Sequence, residues 1–341
     1  MEYRTLGRTG LQVSNLCLGA MTFGEPDAQS FMHNVAADEE TSFAMLDQAL
    51  AAGINFIDTA DIYGEDGLSE RVVGRWMALR RNRREVVLAT KCRFRMFPGA
   101  LGSGASRRRI VEAVEASLRR LQTDAIDLFQ IHMQDLKTPE EEVLRALDDL
   151  VSQGKIVYAG CSNYAAYRMV QADWIADKRG FAGFATLQAQ YSLAERDLER
   201  EHLPYMKQSG MGLLPWSPLA GGLLSGKYRM GEPAPEGSRM AQWKERLERW
   251  DTPRNWAIVD ALRAAAAEVE STPAAVALAW LLARPTVDSV IIGVRTPAQL
   301  ADNLAAAALV LPEAVRARLD AVSAPQFGYP YDFMHRVDGG W

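Results

Sequence analysis

Cysteine is scarce in this chain, and its scarcity excludes a good deal. The three present, Cys17, Cys92 and Cys161, are odd in number and widely spaced, which supports neither a disulfide framework nor a zinc site. Histidine is as sparse: His33, His132, His202 and His335 show no HExxH or other ligand spacing, so no metal is expected. No apolar run approaches the roughly 18 residues that a membrane span needs. The opening MEYRTLGRTG lacks the apolar core of a secretory leader, and the reducing cytoplasm is the expected compartment. An excess of one charge is missing too. The formal net charge is -5, and basic clusters such as Arg80–Arg84 are short and helix-terminal, where the macrodipole favours them. Neither nucleic acid nor a membrane is an expected partner.

What remains is an ordinary globular balance, 48% hydrophobic and 24% charged residues, with a strong internal order. Tyr3–Leu6 and Gln12–Ser14 flank Gly7–Gly10 and read as a small hairpin. Leu16–Gly19 is a short buried strand. A polar insert at 27–36, which carries Met32 and His33, precedes a helix from about Asp38 to Ala52, closed by Gly53. Strand Asn55–Ala60 and helix Ser69–Leu79 follow, then strand Val86–Lys91 and, past a Gly-rich connection, helix Ser106–Leu121. The alternation continues with strand Ala125–His132 and helix Pro139–Gln153, then strand Ile156–Ser162 and helix Ala165–Asp177. Strand Thr186–Tyr191 leads to a helix over Asp197–Gln208. Strand Gly212–Ser217 opens a long Gly/Pro-rich connection to helices Arg254–Val269 and Pro273–Ala283. Strand Ser289–Val294, helix Pro297–Ala306, an extra helix from Pro312 and an irregular tail complete the chain.

Strands that alternate with helices are parallel, because only a crossover returns the chain in register. Eight such units close as a barrel, with chemistry at the carboxyl ends of the strands. The competing doubly wound open sheet would carry GxGxxG after its first strand; GAMTFG has two glycines at the wrong spacing. The expected fold is therefore α/β, a (β/α)8 TIM barrel with an N-terminal β-hairpin and an extra C-terminal helix. One domain spans residues 1–341, a length single barrels reach.

Polar residues then stand out at consecutive strand ends. Asp58 ends the second barrel strand, Lys91 the third (VVLATK) and His132 the fourth (LFQIH), with Tyr63 in the turn after Asp58. Each has a bland explanation taken alone: Asp58 could cap its turn, Lys91 could snorkel and His132 could be a satisfied core histidine. Adjacent staves deliver their ends to one patch, so the four together read as a site. A tyrosine, unperturbed near pKa 10, is a poor acid at neutral pH. A lysine ammonium lowers that value, while Asp58 keeps the lysine in place and charged. Tyr63 could then give a proton to a carbonyl oxygen, with His132 orienting it. Nothing in the quartet donates a hydride, so redox chemistry requires a cofactor.

At this point the sequence resembles the aldo-keto reductases, NAD(P)H-dependent carbonyl reductases on a (β/α)8 barrel. DTADIYG (Asp58–Gly64), Lys91, His132, GCSNY (Gly160–Tyr164), LQAQYS (Leu187–Ser192), PWSPLAGGLLSGKY (Pro215–Tyr228) and IIGVRTPAQLADN (Ile291–Asn303) carry the resemblance across the chain. It implies Asp58, Tyr63, Lys91 and His132 as the catalytic tetrad. It implies further that Ser162, Asn163 and Gln188 hold the nicotinamide carboxamide and that Trp216 is the wall on which the ring stacks. Thr22, Phe23 and Asp58 would contact cofactor and substrate rim. Ser217, Pro218, Leu219, Gly221 and Lys227 resemble the segment folded over the pyrophosphate, and Arg239 a contact to the adenosine phosphate. Gly293, Arg295, Gln299, Asp302 and Asn303 resemble the adenosine end. Many members have Lys-Ser where Gly293-Val294 stand and Arg in place of Gln299. Arg295 then replaces the usual 2′-phosphate clamp, which favours NADPH with NADH possible. The pattern is closer to the bacterial and potassium-channel β-subunit branch, so a cofactor-binding regulatory subunit is the alternative, and a Schiff-base aldolase through Lys91 a third. The substrate is expected to be a small carbonyl compound; Phe94 and Phe97 could line its entrance, and Phe327, Tyr329, Tyr331 and Phe333 wall it. The oligomeric state is open.

Overall fold

Short, almost wholly apolar strands cannot keep a face in water, and the helices between them serve as their cover. The computed structural model describes residues 1–24, 36–236, 238, 241, 248 and 250–338. Strands β1 (Tyr3–Thr5) and β2 (Gln12–Ser14) pair antiparallel, with Tyr3 opposite Ser14. The barrel staves are β3 (Leu16–Gly19), β4 (Phe56–Asp58), β5 (Val87–Cys92), β6 (Ile126–Ile131), β7 (Ile156–Ser162), β8 (Phe184–Gln190), β9 (Gly212–Trp216) and β10 (Val290–Gly293). They lie side by side, all parallel, in the order β10-β3-β4-β5-β6-β7-β8-β9. The ring is nearly closed: Leu213 forms a parallel bridge with Val287, its N–H donating to Thr286 at 3.1 Å and its carbonyl accepting from Asp288 at 3.0 Å. This is the eight-fold barrel with an N-terminal hairpin that strand–helix alternation implies.

The helices are α1 (Glu39–Ala51), α2 (Leu68–Arg80), α3 (Arg107–Leu121), α4 (Glu140–Ser152), α5 (Ala166–Arg179), α6 (His202–Ser209), α7 (Pro253–Glu268), α8 (Pro273–Leu282), α9 (Pro297–Leu304), α10 (Glu313–Val322) and α11 (Tyr331–Asp338). Their starts are written locally. In α7, α8 and α9 a Thr-Pro pair opens the helix: the threonine hydroxyl accepts from the N–H of Asn255, Ala275 or Gln299, and proline fills the first turn, where no N–H is needed.

Two expectations need correcting. The helix expected over Asp197–Gln208 is a 3-10 turn, Asp197–Glu199, followed by α6. A continuous helix would put Pro204 in its interior, where the ring strikes the carbonyl one turn back; in α6 it stands in the first turn and is harmless. The tail is not wholly irregular either. It holds α11, anchored by the Tyr331 hydroxyl donating to Glu201 and by Arg200 lying 5.6 Å from the Tyr331 ring centroid.

Alternation along the strands sorts side chains to two faces. One set, with the helices, forms the large outer core. The other points into the barrel: Cys17, Phe56, Val87, Ala89, Leu128, Leu214 and Ile291 gather there with Leu6 and Val13 of the hairpin, which stops the barrel floor. Space inside is tight at Gly160 on β7, where a Cβ would stand 2.6 Å from the Thr186 hydroxyl and 3.1 Å from Cγ of Gln130. Gly160→Ala should therefore cost about 1–3 kcal/mol by overpacking, read as a lower urea midpoint at unchanged slope; an unshifted midpoint would show that the interior yields.

Candidate active site

Following the inward-facing register up the strands leads from oil to charge. Above Phe56 comes Asp58; above Val87 and Ala89, Lys91; above Leu128, Gln130 and then His132. Pairing sets Asp58 opposite Ala89 and Lys91 opposite Gln130, so the polar ends meet at the top of the barrel. Lys91 is fully buried. Its ammonium donates to Asp58 Oδ2 at 2.7 Å, to the carbonyl of Thr59 at 2.7 Å and to the Tyr63 hydroxyl at 3.2 Å. All three ammonium protons thus have an acceptor. His132 sets its ring edge-on to Tyr63, with centroids 5.7 Å apart. The four residues singled out at the strand ends are together in space.

Electrostatics sharpens their roles. Burial works against the Lys91 ammonium, but Asp58 and Tyr63 outweigh it and hold the lysine above its ordinary value. Burial also pushes the Tyr63 phenol up, and by more than Lys91 pulls it down, so its pKa lies above 10.0. The expectation of a phenol drawn toward phenolate has the sign of the lysine's influence right and the net result wrong, because desolvation is the larger effect. Burial, helped by the charge of Lys91, keeps His132 well below 6.5 and therefore neutral at pH 7. Its Nδ1 is buried without a hydrogen-bond partner among the described residues.

The residues assigned to the nicotinamide end form a linked row beside this cluster. Gln188 donates to Asp58 Oδ1 at 2.8 Å. Asn163 donates from its amide to the His132 carbonyl and to the Ser162 hydroxyl, each at 2.9 Å, and accepts from the Trp216 indole at 3.1 Å. Asn163 (φ +54°) and Ser217 (φ +53°) both hold left-handed backbone, a strain that collects where geometry is dictated by use. Trp216 is half-buried at the end of β9, leaving part of its ring accessible as a flat wall.

Ser217, Pro218, Leu219 and Gly221 continue directly from it, the Ser217 hydroxyl accepting from the Gly221 N–H at 3.2 Å. Gly221 has φ +68°, so this close turn suits glycine. Lys227 is exposed. Gly293 is open, with nothing within 4 Å of where a Cβ would stand, which leaves room for a group to approach the backbone. Gln299 accepts from the Arg295 N–H at 2.9 Å and so helps cap α9; Asp302 is exposed and Asn303 buried. Thr22 donates its hydroxyl to the Val294 carbonyl at 2.8 Å. Phe23 lies in the outer core, 1% exposed. Arg239, Met32 and His33 lie outside the described residues.

Two contributors escaped the sequence reading. Gln130 donates to Asp58 Oδ1 at 3.4 Å; it stands on β6 two residues before His132, which follows the strand's last residue, and that parity was the available signal. Arg109 of α3 pairs with Asp61 at 2.7 Å, both buried, and so ties the turn that presents Tyr63 to a helix; no local pattern announces such a long-range pair.

Fold and comparisons with known proteins place the chain among the oxidoreductases built on a (β/α)8 barrel. It belongs to the aldo/keto reductase family, whose description matches residues 15–324. It is similar to a Bacillus subtilis (strain 168) protein named uncharacterized oxidoreductase YrpG, 41% identical over 330 residues, covering 94% of this chain and 96% of the relative. Norsolorinic acid reductase of Aspergillus flavus is 37% identical over 332 residues, covering 95% of this chain and 81% of its own. A probable voltage-gated potassium channel subunit beta of Oryza sativa subsp. japonica is 35% identical over 331 residues, covering 92% and 94%. Among the described residues no helix is long and apolar enough to cross a membrane.

Proposed function

We propose that this protein reduces aldehydes or ketones to alcohols with NADPH, using Tyr63 as the general acid. The observation that carries the reading is the buried Lys91 ammonium, shared between Asp58 Oδ2 and the Tyr63 hydroxyl. When bound, the reduced nicotinamide supplies a hydride to the carbonyl carbon. Tyr63 gives its proton to the carbonyl oxygen, and the C=O becomes CH–OH. Lys91 stabilises the phenolate left behind, and neutral His132 donates a hydrogen bond that sets the carbonyl's direction. Trp216, Asn163, Ser162 and Gln188 are the residues that would hold the nicotinamide. The half-open Trp216 face, the left-handed turn at Ser217 and the clear space at Gly293 fit such a group. The test is NADPH oxidation followed by absorbance against aromatic, short aliphatic and sugar aldehydes; no oxidation above the aldehyde-free rate with any of them refutes the proposal.

Arg295 is proposed to read the 2′-phosphate. Arg295→Ala should then raise the Kd for NADPH about tenfold to a hundredfold, the worth of a charge-assisted bidentate contact, and that for NADH far less. Titration of both cofactors checks it, and equal losses count against the assignment. The rice channel-subunit relative favours a second reading, in which the same barrel binds cofactor but acts through a protein partner; ready turnover of free aldehydes decides against it. A Schiff-base aldolase is disfavoured, since a lysine held above its ordinary value is not a nucleophile at neutral pH.

A further inference from the structure

Just past Lys91 stands a residue whose backbone does not suit its side chain. Arg93 has φ +147°, territory in which a Cβ is crowded and glycine is at ease. Local backbone preference therefore does not explain an arginine there, and such an outlier points toward use of the side chain. The loop fixes the conformation, since the Arg93 carbonyl accepts from the Gly104 N–H at 2.8 Å.

The side chain itself is under-used. Half-buried, it makes no salt bridge among the described residues, and its Nε is buried without a hydrogen-bond partner. The charge of Asp135 is felt nearby. Yet that carboxylate already accepts from the N–H groups of Ala105 (2.9 Å) and Lys137 (3.1 Å) and from the Thr138 hydroxyl (2.8 Å). The guanidinium carbon lies 5.8 Å from the Phe94 ring centroid, and the Phe94 ring meets His132 edge-on at 4.7 Å. A cation without a salt bridge among the described residues thus stands one aromatic ring away from the imidazole proposed to orient the carbonyl.

We propose that Arg93 is a specificity-determining residue, gripping a carboxylate carried at the far end of the carbonyl substrate, with Phe94 as the wall between the two ends. A guanidinium fork and a carboxylate match in shape as well as charge. The substrate class narrows accordingly, from carbonyl compounds in general to carbonyl acids with an apolar middle. This inference rests on the reductase reading.

The test compares 4-carboxybenzaldehyde with uncharged 4-methylbenzaldehyde for the wild type, R93G and R93K. The wild type should show the higher kcat/KM for the acid. In R93G the ratio of the two kcat/KM values should fall about tenfold to a hundredfold, the worth of a hydrogen-bonded charge pair. Its thermal midpoint should be no lower, because glycine suits the backbone. R93K should keep part of the preference. A wild type without preference for the acid, or a ratio that survives in R93G, overturns the inference while leaving the reductase intact. Should no aldehyde turn over, the reductase reading itself fails, and benzoate binding by calorimetry then judges Arg93: equal affinity in wild type and R93G overturns it, and a comparable loss in R93G supports it.

Discussion

A Tyr63→Phe variant should lose carbonyl reduction by roughly a thousandfold, within the range that a positioned general acid contributes, while its stability and NADPH affinity stay close to those of the parent. The asymmetry follows from the bonds around the hydroxyl. Without it Lys91 still donates to Asp58 Oδ2 and the Thr59 carbonyl, so no buried charge loses its counter-ion. Only the proton donor disappears. Steady-state rates at saturating NADPH, set beside a cofactor titration and a melting curve, check all three parts. Turnover retained within tenfold would remove the acid role. The direction of the tyrosine's shift adds a pH signature. Reduction needs Tyr63 protonated, and burial moves its pKa above 10.0, so the rate should stay level through neutral pH and decline only beyond pH 10.

Lys91→Met should do the reverse kind of damage, harming stability and activity together. Removing one member of a buried ion pair leaves the other charge uncompensated, typically at about 3–5 kcal/mol. Here the stranded group is Asp58, itself 2% exposed, left with the amides of Gln130 and Gln188. Replacing both members, as in Lys91→Met with Asp58→Leu, should restore much of the stability and none of the turnover. Urea unfolding of the two single variants, the double variant and the wild type gives the coupling directly. A Lys91→Met protein as stable as its parent would show that the buried carboxylate does not depend on the lysine.

Much of this arrangement was open to reading in the chain itself. Apolar runs that end in Asp58, Lys91 and His132 announce their own place, because strand ends in a parallel barrel share one face and the last inward residue of each has nowhere else to go. Helix starts were legible for the same local reason, as in the three Thr-Pro openings. Depth was not. How far Tyr63 is removed from water depends on side chains brought from other staves, and that decided the direction of its pKa against the neighbouring lysine. The Asp61–Arg109 pair joins residues 48 positions apart, and neither end differs in sequence from an ordinary surface charge. The tail helix was hidden likewise, since Tyr331–Asp338 is short and leans on Glu201 and Arg200 rather than on its own propensity.

The stopper in the barrel floor has a temporal side. Its clasps join the hairpin to the end of α8 and to the residues just before β10: the Gly7 N–H donates to Asp288 at 2.6 Å, and Arg4 donates to the carbonyls of Leu282 and Val287 at 2.9 and 2.8 Å, spans of 278 to 283 positions. The hairpin is synthesised before these partners, which follow it only after seven of the eight staves. A nascent chain therefore lacks these particular clasps until the residues around Val287 have been made, and truncation before Val287 removes them.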